Sequence, residues 1–211
     1  MLLADVPGHD CYDATLPQLE AMVDTLVDLQ QAWAGRVDEV LALGAPDWRP
    51  STFVPLAQAV VERDAPAELR TVLDPFVDRL PQVFADLDSC GLPNTFVHGD
   101  FHPGNVRWTS EGPVVLDWGD VGVGHPLFDL PAFLDRAGPH TADLEARWLE
   151  RWARACPGSD PRRAATLIAP IAALRQAIIY RRFLDGIEET ERVYHRDDVP
   201  QWLRRAVALM A

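Results

Sequence analysis

The chain contains no lysine: all 19 of its basic residues are arginines, against 32 acidic residues, and the formal charge is −13. Chemistry that requires a lysine side chain therefore cannot come from these 211 residues. A strongly negative field repels the phosphates of nucleic acids and anionic membrane surfaces, whereas it favours cationic small molecules and metal ions. We expect neither a nucleic acid nor a membrane as a partner.

Cysteines and long apolar runs are also scarce. Cys11, Cys90 and Cys156 are odd in number, lie far apart and form no CxxC pair. This pattern favours reduced thiols over a disulfide framework or a structural zinc site. No run approaches the roughly 18 apolar residues of a membrane-spanning helix, and the N-terminal residues lack the basic and apolar regions of a signal peptide. We expect a cytoplasmic protein.

Helical patterns fill most of the chain. With 48% hydrophobic residues, its 211 residues can bury the core of one domain or of one large lobe. Apolar residues recur at helical spacing at residues 15–33, 37–43, 53–64, 68–90, 126–136, 141–156, 162–187 and 199–210. Pro75 and Pro81 are expected to kink or divide the segment 68–90. The predicted fold class is α+β and mostly helical.

A small β insert interrupts the helices. The segments TFVH (95–98), NVRW (105–108) and PVVLDW (113–118) are short, rich in β-branched and aromatic residues, and separated by glycine and proline. They predict strands, the last two forming a hairpin. The same stretch places four aspartates beside apolar flanks: Asp100, Asp117, Asp120 and Asp129. Because a buried carboxylate needs a partner or a cation, this insert is the candidate site.

Three of the polar residues in the insert fit the needs of phosphoryl transfer. That reaction requires a carboxylate that orients and deprotonates the attacking hydroxyl, and oxygen ligands for Mg²⁺. Asp100 and Asn105 have the spacing of the kinase catalytic loop, and Asp117 follows across the hairpin. Ordinary turn chemistry favours any one such residue but does not explain all three in this pattern.

The motifs around these residues resemble the aminoglycoside phosphotransferase family, within the protein-kinase-like fold. HGDFHPGN (98–105) matches the loop H-G-D-x-x-x-x-N of that family. VVLDWGDVGVGHPLFDL (114–130) matches its metal motif, which is Asp-Trp or Asp-Phe followed by Gly-x-Pro-x-x-Asp-Leu. The resemblance covers essentially the whole chain. It implies transfer of a phosphoryl group from ATP or GTP to a hydroxyl of a small molecule, with Mg²⁺ as cofactor.

The resemblance also implies a role for each motif residue. Asp100 would be the catalytic base, and Asn105 and Asp117 would be the magnesium ligands. Three further residues would support the loop. His98 would support it by packing and hydrogen bonding, and Gly104 would permit its tight backbone course before Asn105. Asp129 would brace it from the start of the next helix. In this family the C-terminal helices line the acceptor pocket, and no motif in them identifies the acceptor. The acidic run at residues 185–191 would suit a cationic acceptor such as an amino sugar.

The resemblance divides the chain into a hinge and a lobe. Residues 1–14 form the hinge-like segment, in which the backbone of Ala4, Asp5 and Val6 would contact the nucleotide base. Residues 15–211 form the helical C-terminal lobe, with the catalytic and metal insert at 95–130. The family also has an N-terminal lobe with a glycine-rich cover and a phosphate-binding lysine. Because neither is present, we expect a truncated chain, a start assigned too late, or completion by another chain.

Two other classes of function remain open at this point. The first is a non-catalytic binding module that keeps the kinase-like body, which the missing lysine favours. The second is a metal-dependent hydrolase. His98, Asp100 and His102 would share one face of an extended strand, and such a set could hold a transition metal, although the HPG sequence at 102–104 breaks the strand immediately.

Overall fold

The computed structural model describes residues 5–210. The helices are α1 (Leu16–Trp33), α2 (Val37–Ala42), α3 (Pro50–Asp64), α4 (Ala67–Asp88), α5 (Leu130–Leu134), α6 (Thr141–Ala155), α7 (Pro161–Gly186), α8 (Arg192–His195) and α9 (Asp198–Ala208). The strands are β1 (His9–Asp10), β2 (Thr95–Val97), β3 (Val106–Thr109), β4 (Gly112–Val115) and β5 (Gly122–Gly124). The predicted class, α+β and mostly helical, is confirmed. In the described part of the chain, no helix is both long and apolar enough to cross a membrane.

The chain divides into two compact units. One consists of residues 1–46 and 91–162, and the other of residues 47–90 and 163–211. The strands, α1, α2, α5 and α6 belong to the first unit, whereas α3, α4, α8, α9 and nearly all of α7 belong to the second. The insert that carries the candidate site therefore lies within the first unit.

Helix α1 is the main support of the first unit. It buries a stripe that repeats at helical spacing: Leu19, Met22, Val23, Leu26, Val27 and Gln30. At its start, the backbone N–H of Thr15 donates to Oε1 of Gln18 at 2.9 Å, which satisfies one free donor of the helix end. On its side, Arg147 of α6 donates from Nε and Nη2 to the two oxygens of Asp24, at 2.9 and 2.6 Å.

Two small sheets place the two sequence motifs side by side. Strands β3 and β4 form the predicted antiparallel hairpin, with Val106 opposite Val115 and Thr109 opposite Gly112, and β1 adds to the free edge of β3. Strand β2 pairs antiparallel with β5. Because β2 leads directly into the loop 98–105 and β5 follows the segment 117–121, this pairing brings the loop and the metal motif together.

Helix α4 of the second unit differs from the sequence expectation. Pro75 and Pro81 both lie inside it, yet it runs without division from Ala67 to Asp88. The helix buries apolar side chains along its length: Leu73, Phe76, Val77, Leu80, Phe84 and Leu87. Burial stabilises each such side chain by about 1.5–3 kcal/mol, which offsets the cost of about 3 kcal/mol for a proline inside a helix. The alternative of a divided helix is therefore wrong, whereas the alternative of a kink stays a prediction.

Candidate active site

The loop that follows β2 is organised around the buried imidazole of His98. Its Nδ1 accepts the backbone N–H of Asp100 at 3.3 Å, and its Nε2 lies 2.8 Å from the carbonyl oxygen of Leu116. A carbonyl only accepts, so Nε2 carries the proton and the ring is the Nε2–H tautomer. The indole of Trp118 packs against the ring, with centroids 4.7 Å apart. His98 therefore links the loop to the segment that precedes Asp117.

Asp129 holds the backbone at the start of the loop. Its carboxylate is 1% exposed. Its Oδ2 accepts the N–H of His98 at 2.9 Å, and its Oδ1 accepts the N–H of Gly99 at 2.8 Å. Nε2 of Gln30 adds a third donor to Oδ2 at 3.1 Å. These donors compensate the burial of a charged group, and Gly99 turns here with φ of +97°, a conformation that favours glycine.

Asp100 is the predicted catalytic base, and its described side-chain contacts fall on one of its two carboxylate oxygens. Nδ2 of Asn105 donates to Oδ2 at 3.1 Å, and Nε2 of His102 lies 3.5 Å from the same oxygen. Hydrogen bonding from His102 lowers the pKa of Asp100, and this effect prevails over the partial burial that opposes it. The carboxyl is therefore ionised at neutral pH, and Oδ1 is left to accept a hydrogen bond from a ligand.

The side chain of Asn105 is oriented by two hydrogen bonds to Asp100. Its Nδ2 donates to the carbonyl oxygen of Asp100 at 2.9 Å, besides the bond to Oδ2. This network assigns the amide: the nitrogen faces Asp100, and the side-chain oxygen is left for another ligand. The backbone carbonyl of Asn105 accepts the N–H of Leu116 at 2.8 Å, which ties the end of the loop to the residue before Asp117.

Asp117 has an unusual backbone. It follows β4 with φ of 55° and ψ of 64°, and within residues 5–210 no other non-glycine residue has a positive φ. Such a conformation costs of order 1–3 kcal/mol and is concentrated at functional sites. The residue is exposed. A Cβ placed on Gly119 would lie 3.4 Å from its Oδ1, so glycine leaves room beside this oxygen.

The donor set fits a magnesium ion. Mg²⁺ prefers hard oxygen ligands and takes one or two carboxylates from a protein, the rest being water and phosphate. The amide oxygen of Asn105 and the carboxylate of Asp117 are such donors, and they stand on neighbouring segments joined through Leu116.

Gly104 leaves room for neighbouring side chains, a reason different from the predicted one. Its φ is not in the left-handed region, so a tight backbone turn does not demand glycine. Instead, a Cβ on Gly104 would lie 2.8 Å from Cε1 of His102 and 2.8 Å from Cε1 of Tyr12. The absence of a side chain makes room for the imidazole.

Two of the three hinge residues lie within the described part of the chain. Ala4 lies outside the described residues, while Asp5 is exposed and Val6 is half-buried ahead of β1. Their contact with a nucleotide base stays a prediction.

Sequence reasoning missed two residues of this region. Gln30 donates to Asp129 and, at 3.2 Å, to the carbonyl of Pro126; a glutamine inside the apolar stripe of α1 was the available signal. His125 is 4% exposed, and burial lowers its pKa to about 3. Its Nδ1 accepts the N–H of Leu127 at 3.3 Å. It stands inside the Gly-x-Pro motif, where its burial had no separate sequence signal.

The structure contradicts the metal-dependent hydrolase hypothesis. Both ring nitrogens of His98 are engaged by backbone groups, so neither is free to bind a metal. Nδ1 of His102 likewise accepts the N–H of Gly104 at 3.0 Å. In the described residues, no group of three histidine, cysteine, aspartate or glutamate side chains is placed to hold a metal ion.

The family model of the phosphotransferase enzyme family matches residues 1–167. The chain belongs to this family. The resemblance to aminoglycoside phosphotransferases is thereby confirmed.

A curated phosphotransferase is similar to this chain over most of its length. Viomycin phosphotransferase of Streptomyces vinaceus is 30% identical over 203 residues, and the match covers 90% of this chain and 66% of that protein. The chain thus spans just under two thirds of the length of this curated relative.

Two solved structures share the fold of this phosphotransferase family member. The choline kinase LicA of Streptococcus pneumoniae is similar with a TM-score of 0.58 at 14% identity, over 91% of this chain and 63% of that one. Amicoumacin kinase hAmiN, solved with AMP-PNP and Ca²⁺, is similar with a TM-score of 0.59 at 16% identity, over 96% of this chain and 62% of that one. The kinase-like fold predicted from the motifs is confirmed.

Proposed function

We propose that this chain carries the catalytic loop and the metal ligands of an enzyme that transfers the γ-phosphoryl group of ATP or GTP to a hydroxyl of a small molecule. The observation that supports it most is the arrangement at Asp100. Asn105 donates to Oδ2 and His102 approaches the same oxygen, Oδ1 is left for a hydroxyl, and the oxygen of Asn105 is turned away from the carboxylate.

The proposed reaction forms one bond and breaks one. The acceptor oxygen bonds to the γ-phosphorus, while the bond between that phosphorus and the β–γ bridging oxygen breaks, and its electron pair leaves with the nucleoside diphosphate. The hydroxyl proton passes to Oδ1 of Asp100. Because the pKa of Asp100 is lowered by its hydrogen bonds, it is a weak base that mainly orients the hydroxyl. That role suits a loose transition state, in which catalysis rests on positioning and charge stabilisation.

Asn105 and Asp117 are proposed to bind Mg²⁺. A bound magnesium ion would neutralise phosphate charge. The backbone of residues 4–6 is proposed to contact the nucleotide base. The kinase hAmiN, which resembles this chain in fold, was solved with AMP-PNP and a divalent cation, which supports nucleotide and metal as partners. Because ATP and GTP are cytoplasmic donors, we place the protein in the cytoplasm.

The acceptor is proposed to be a small, hydroxylated and cationic compound. The formal charge of −13 favours cations, and the similar proteins are named for viomycin, choline and amicoumacin.

The test uses the full 211-residue chain with ATP or GTP labelled in the γ-phosphate, Mg²⁺, and a panel of viomycin, choline, amicoumacin and an aminoglycoside. We expect labelled product from at least one acceptor, at a low rate because the chain has no lysine to hold the phosphates. Asp100→Asn should lower turnover by about 10²–10⁴-fold while nucleotide binding persists. Glu111→Gln, an exposed carboxylate in the β3–β4 turn, is the matched control and should retain activity.

Two results would overturn the proposal. Nucleotide binding without transfer to any acceptor would favour the non-catalytic binding module. Equal turnover of Asp100→Asn and Glu111→Gln would show that Asp100 takes no part in the reaction.

A further inference from the structure

His102 stands next to the proposed reaction but received no role from the family motif. Its Nδ1 accepts the N–H of Gly104 at 3.0 Å, and its Nε2 lies 3.5 Å from Oδ2 of Asp100. Because Nδ1 is the acceptor, a neutral ring carries its proton on Nε2, which faces the carboxylate. A separation of 3.5 Å is long for a hydrogen bond, yet such contacts in a ligand-free site shorten when the reacting complex forms.

The imidazole of His102 is held in place by the loop itself. Its backbone is extended, with φ of −157° and ψ of 165°, as the following proline favours. A Cβ on Gly104 would lie 2.8 Å from Cε1 and 3.0 Å from Nδ1 of the ring, so the ring sits against the glycine. The side chain is 16% exposed. Its orientation is therefore set before any ligand binds.

The carboxylate of Asp100, in contrast, needs such support. Its side chain is 49% exposed, so packing alone does not fix its rotation. Nδ2 of Asn105 approaches Oδ2 at 3.1 Å, and Nε2 of His102 approaches the same oxygen. The hydrogen bond from Asn105 and the nearby Nε2 of His102 both act on one oxygen, so together they restrict rotation about the Cβ–Cγ bond and keep the other oxygen available.

We propose that His102 is a positioning residue of the phosphoryl transfer, which holds Oδ2 of Asp100 so that Oδ1 meets the acceptor hydroxyl. The role rests on the proposed function of Asp100. His102 touches neither the hydroxyl nor the phosphate in this scheme; it acts through the carboxylate.

The contact is tested without turnover, by ¹⁵N–¹H NMR of the histidine side chains in the full chain. We expect His102 to show an unprotonated Nδ1 and a protonated Nε2. Asp100→Asn should shift the Nε2 resonance, whereas Glu111→Gln should not. A protonated Nδ1, or an Nε2 resonance that Asp100→Asn leaves unchanged, would overturn the inference whether or not the chain is an enzyme.

The role is tested by two variants, each of which keeps one hydrogen-bonding function of the imidazole, either the acceptor or the donor. His102→Asn keeps an acceptor for Gly104 but does not reach Asp100, whereas His102→Gln keeps a donor that reaches Asp100. If His102 positions the carboxylate, His102→Asn should lower kcat by up to about 10²-fold with KM for nucleotide and acceptor unchanged, and His102→Gln should retain most of kcat.

A purely structural role predicts the reverse order, together with a lower Tm for His102→Gln, and that result would overturn the inference. Failure of the proposed function is seen separately: the wild-type chain would then transfer no phosphoryl group although the NMR contact is present.

Discussion

The side-chain amide of Asn105 donates to Asp100 twice, to its carbonyl oxygen at 2.9 Å and to its Oδ2 at 3.1 Å. The proposed magnesium ligand and the proposed base therefore form one hydrogen-bonded unit across five positions of the chain. The same bonds that fix the carboxylate also turn the amide oxygen toward the position of a ligand. A substitution that removes the amide donor of Asn105 is therefore expected to disturb the orientation of the Asp100 carboxylate.

Asn105→Asp separates these two roles. The new carboxylate still offers an oxygen to a cation, but it replaces a donor by a negative charge close to Oδ2 of Asp100. Like charges at this distance raise a carboxyl pKa and repel, so the carboxylate of Asp100 should lose its orientation. We expect kcat to fall by about 10²-fold while Mg²⁺-dependent nucleotide binding persists, as measured by steady-state kinetics and calorimetry. Asn94→Asp, outside the loop, is the control; undiminished kcat in Asn105→Asp would contradict the coupling.

Asp129→Asn should destabilise the fold. The substitution removes the charge that accepts the N–H groups of His98 and Gly99, and the amide nitrogen of asparagine would face a donor. Loss of a buried charged acceptor is expected to lower the free energy of unfolding by about 3 kcal/mol. Urea unfolding followed by circular dichroism measures this change. Asp78→Asn, at an exposed position of α4, should change it by less than about 0.5 kcal/mol, and a similarly small change at Asp129 would refute the bracing role.

His125 should make stability depend on pH in the acid range. Burial lowers its pKa to about 3 in the folded chain, whereas an unfolded histidine has a pKa near 6.5. Between these values the unfolded chain binds a proton that the folded chain does not, so this group costs the folded state about 1.4 kcal/mol for each pH unit below about 6.5. Its contribution does not change at higher pH.

The measurement compares the wild type with His125→Asn, which keeps an acceptor for the N–H of Leu127. From pH 7.5 to 5, the variant should lose about 2 kcal/mol less free energy of unfolding than the wild type. His9→Asn, at an exposed position, should behave as the wild type does. Parallel pH profiles for wild type and His125→Asn would show that burial of His125 does not govern acid stability.

Asp117→Asn should separate activity from stability. Asparagine tolerates the left-handed backbone of this position as well as aspartate does, so the free energy of unfolding should stay within about 0.5 kcal/mol. The loss of a carboxylate should nevertheless weaken the binding of Mg²⁺ with nucleotide. Mn²⁺ titration by electron paramagnetic resonance, with and without nucleotide, measures this effect. Unchanged nucleotide-dependent Mn²⁺ binding would exclude Asp117 as a ligand.

Local patterns predicted most of the elements that build the site. The spacing of apolar residues located α1 and α6, and the β-branched segments around a short turn located the β3–β4 hairpin. These features depend on neighbours within a few positions of the chain, where periodicity is informative. The continuity of α4 depends instead on what its apolar stripe packs against, and the sequence does not display those contacts.

The contacts inside the site were less accessible to prediction. The motif identified Asp100 and Asn105, but it did not indicate that Gln30, 99 positions from Asp129, supplies a donor to it. The burial of His125 and the approach of His102 to Asp100 depend on side-chain rotamers and on the packing of distant segments. Both are set by the tertiary structure rather than by spacing along the chain.

Both backbone groups of Leu116 form hydrogen bonds: its N–H donates to the carbonyl of Asn105, and its carbonyl accepts from the imidazole of His98. The backbone that precedes Asp117 is therefore held by hydrogen bonds that do not involve the turn of the β3–β4 hairpin. We therefore expect the turn at residues 110–111 to accept a longer loop, a peptide tag or a fluorophore, which would make it an engineering site for observing ligand binding.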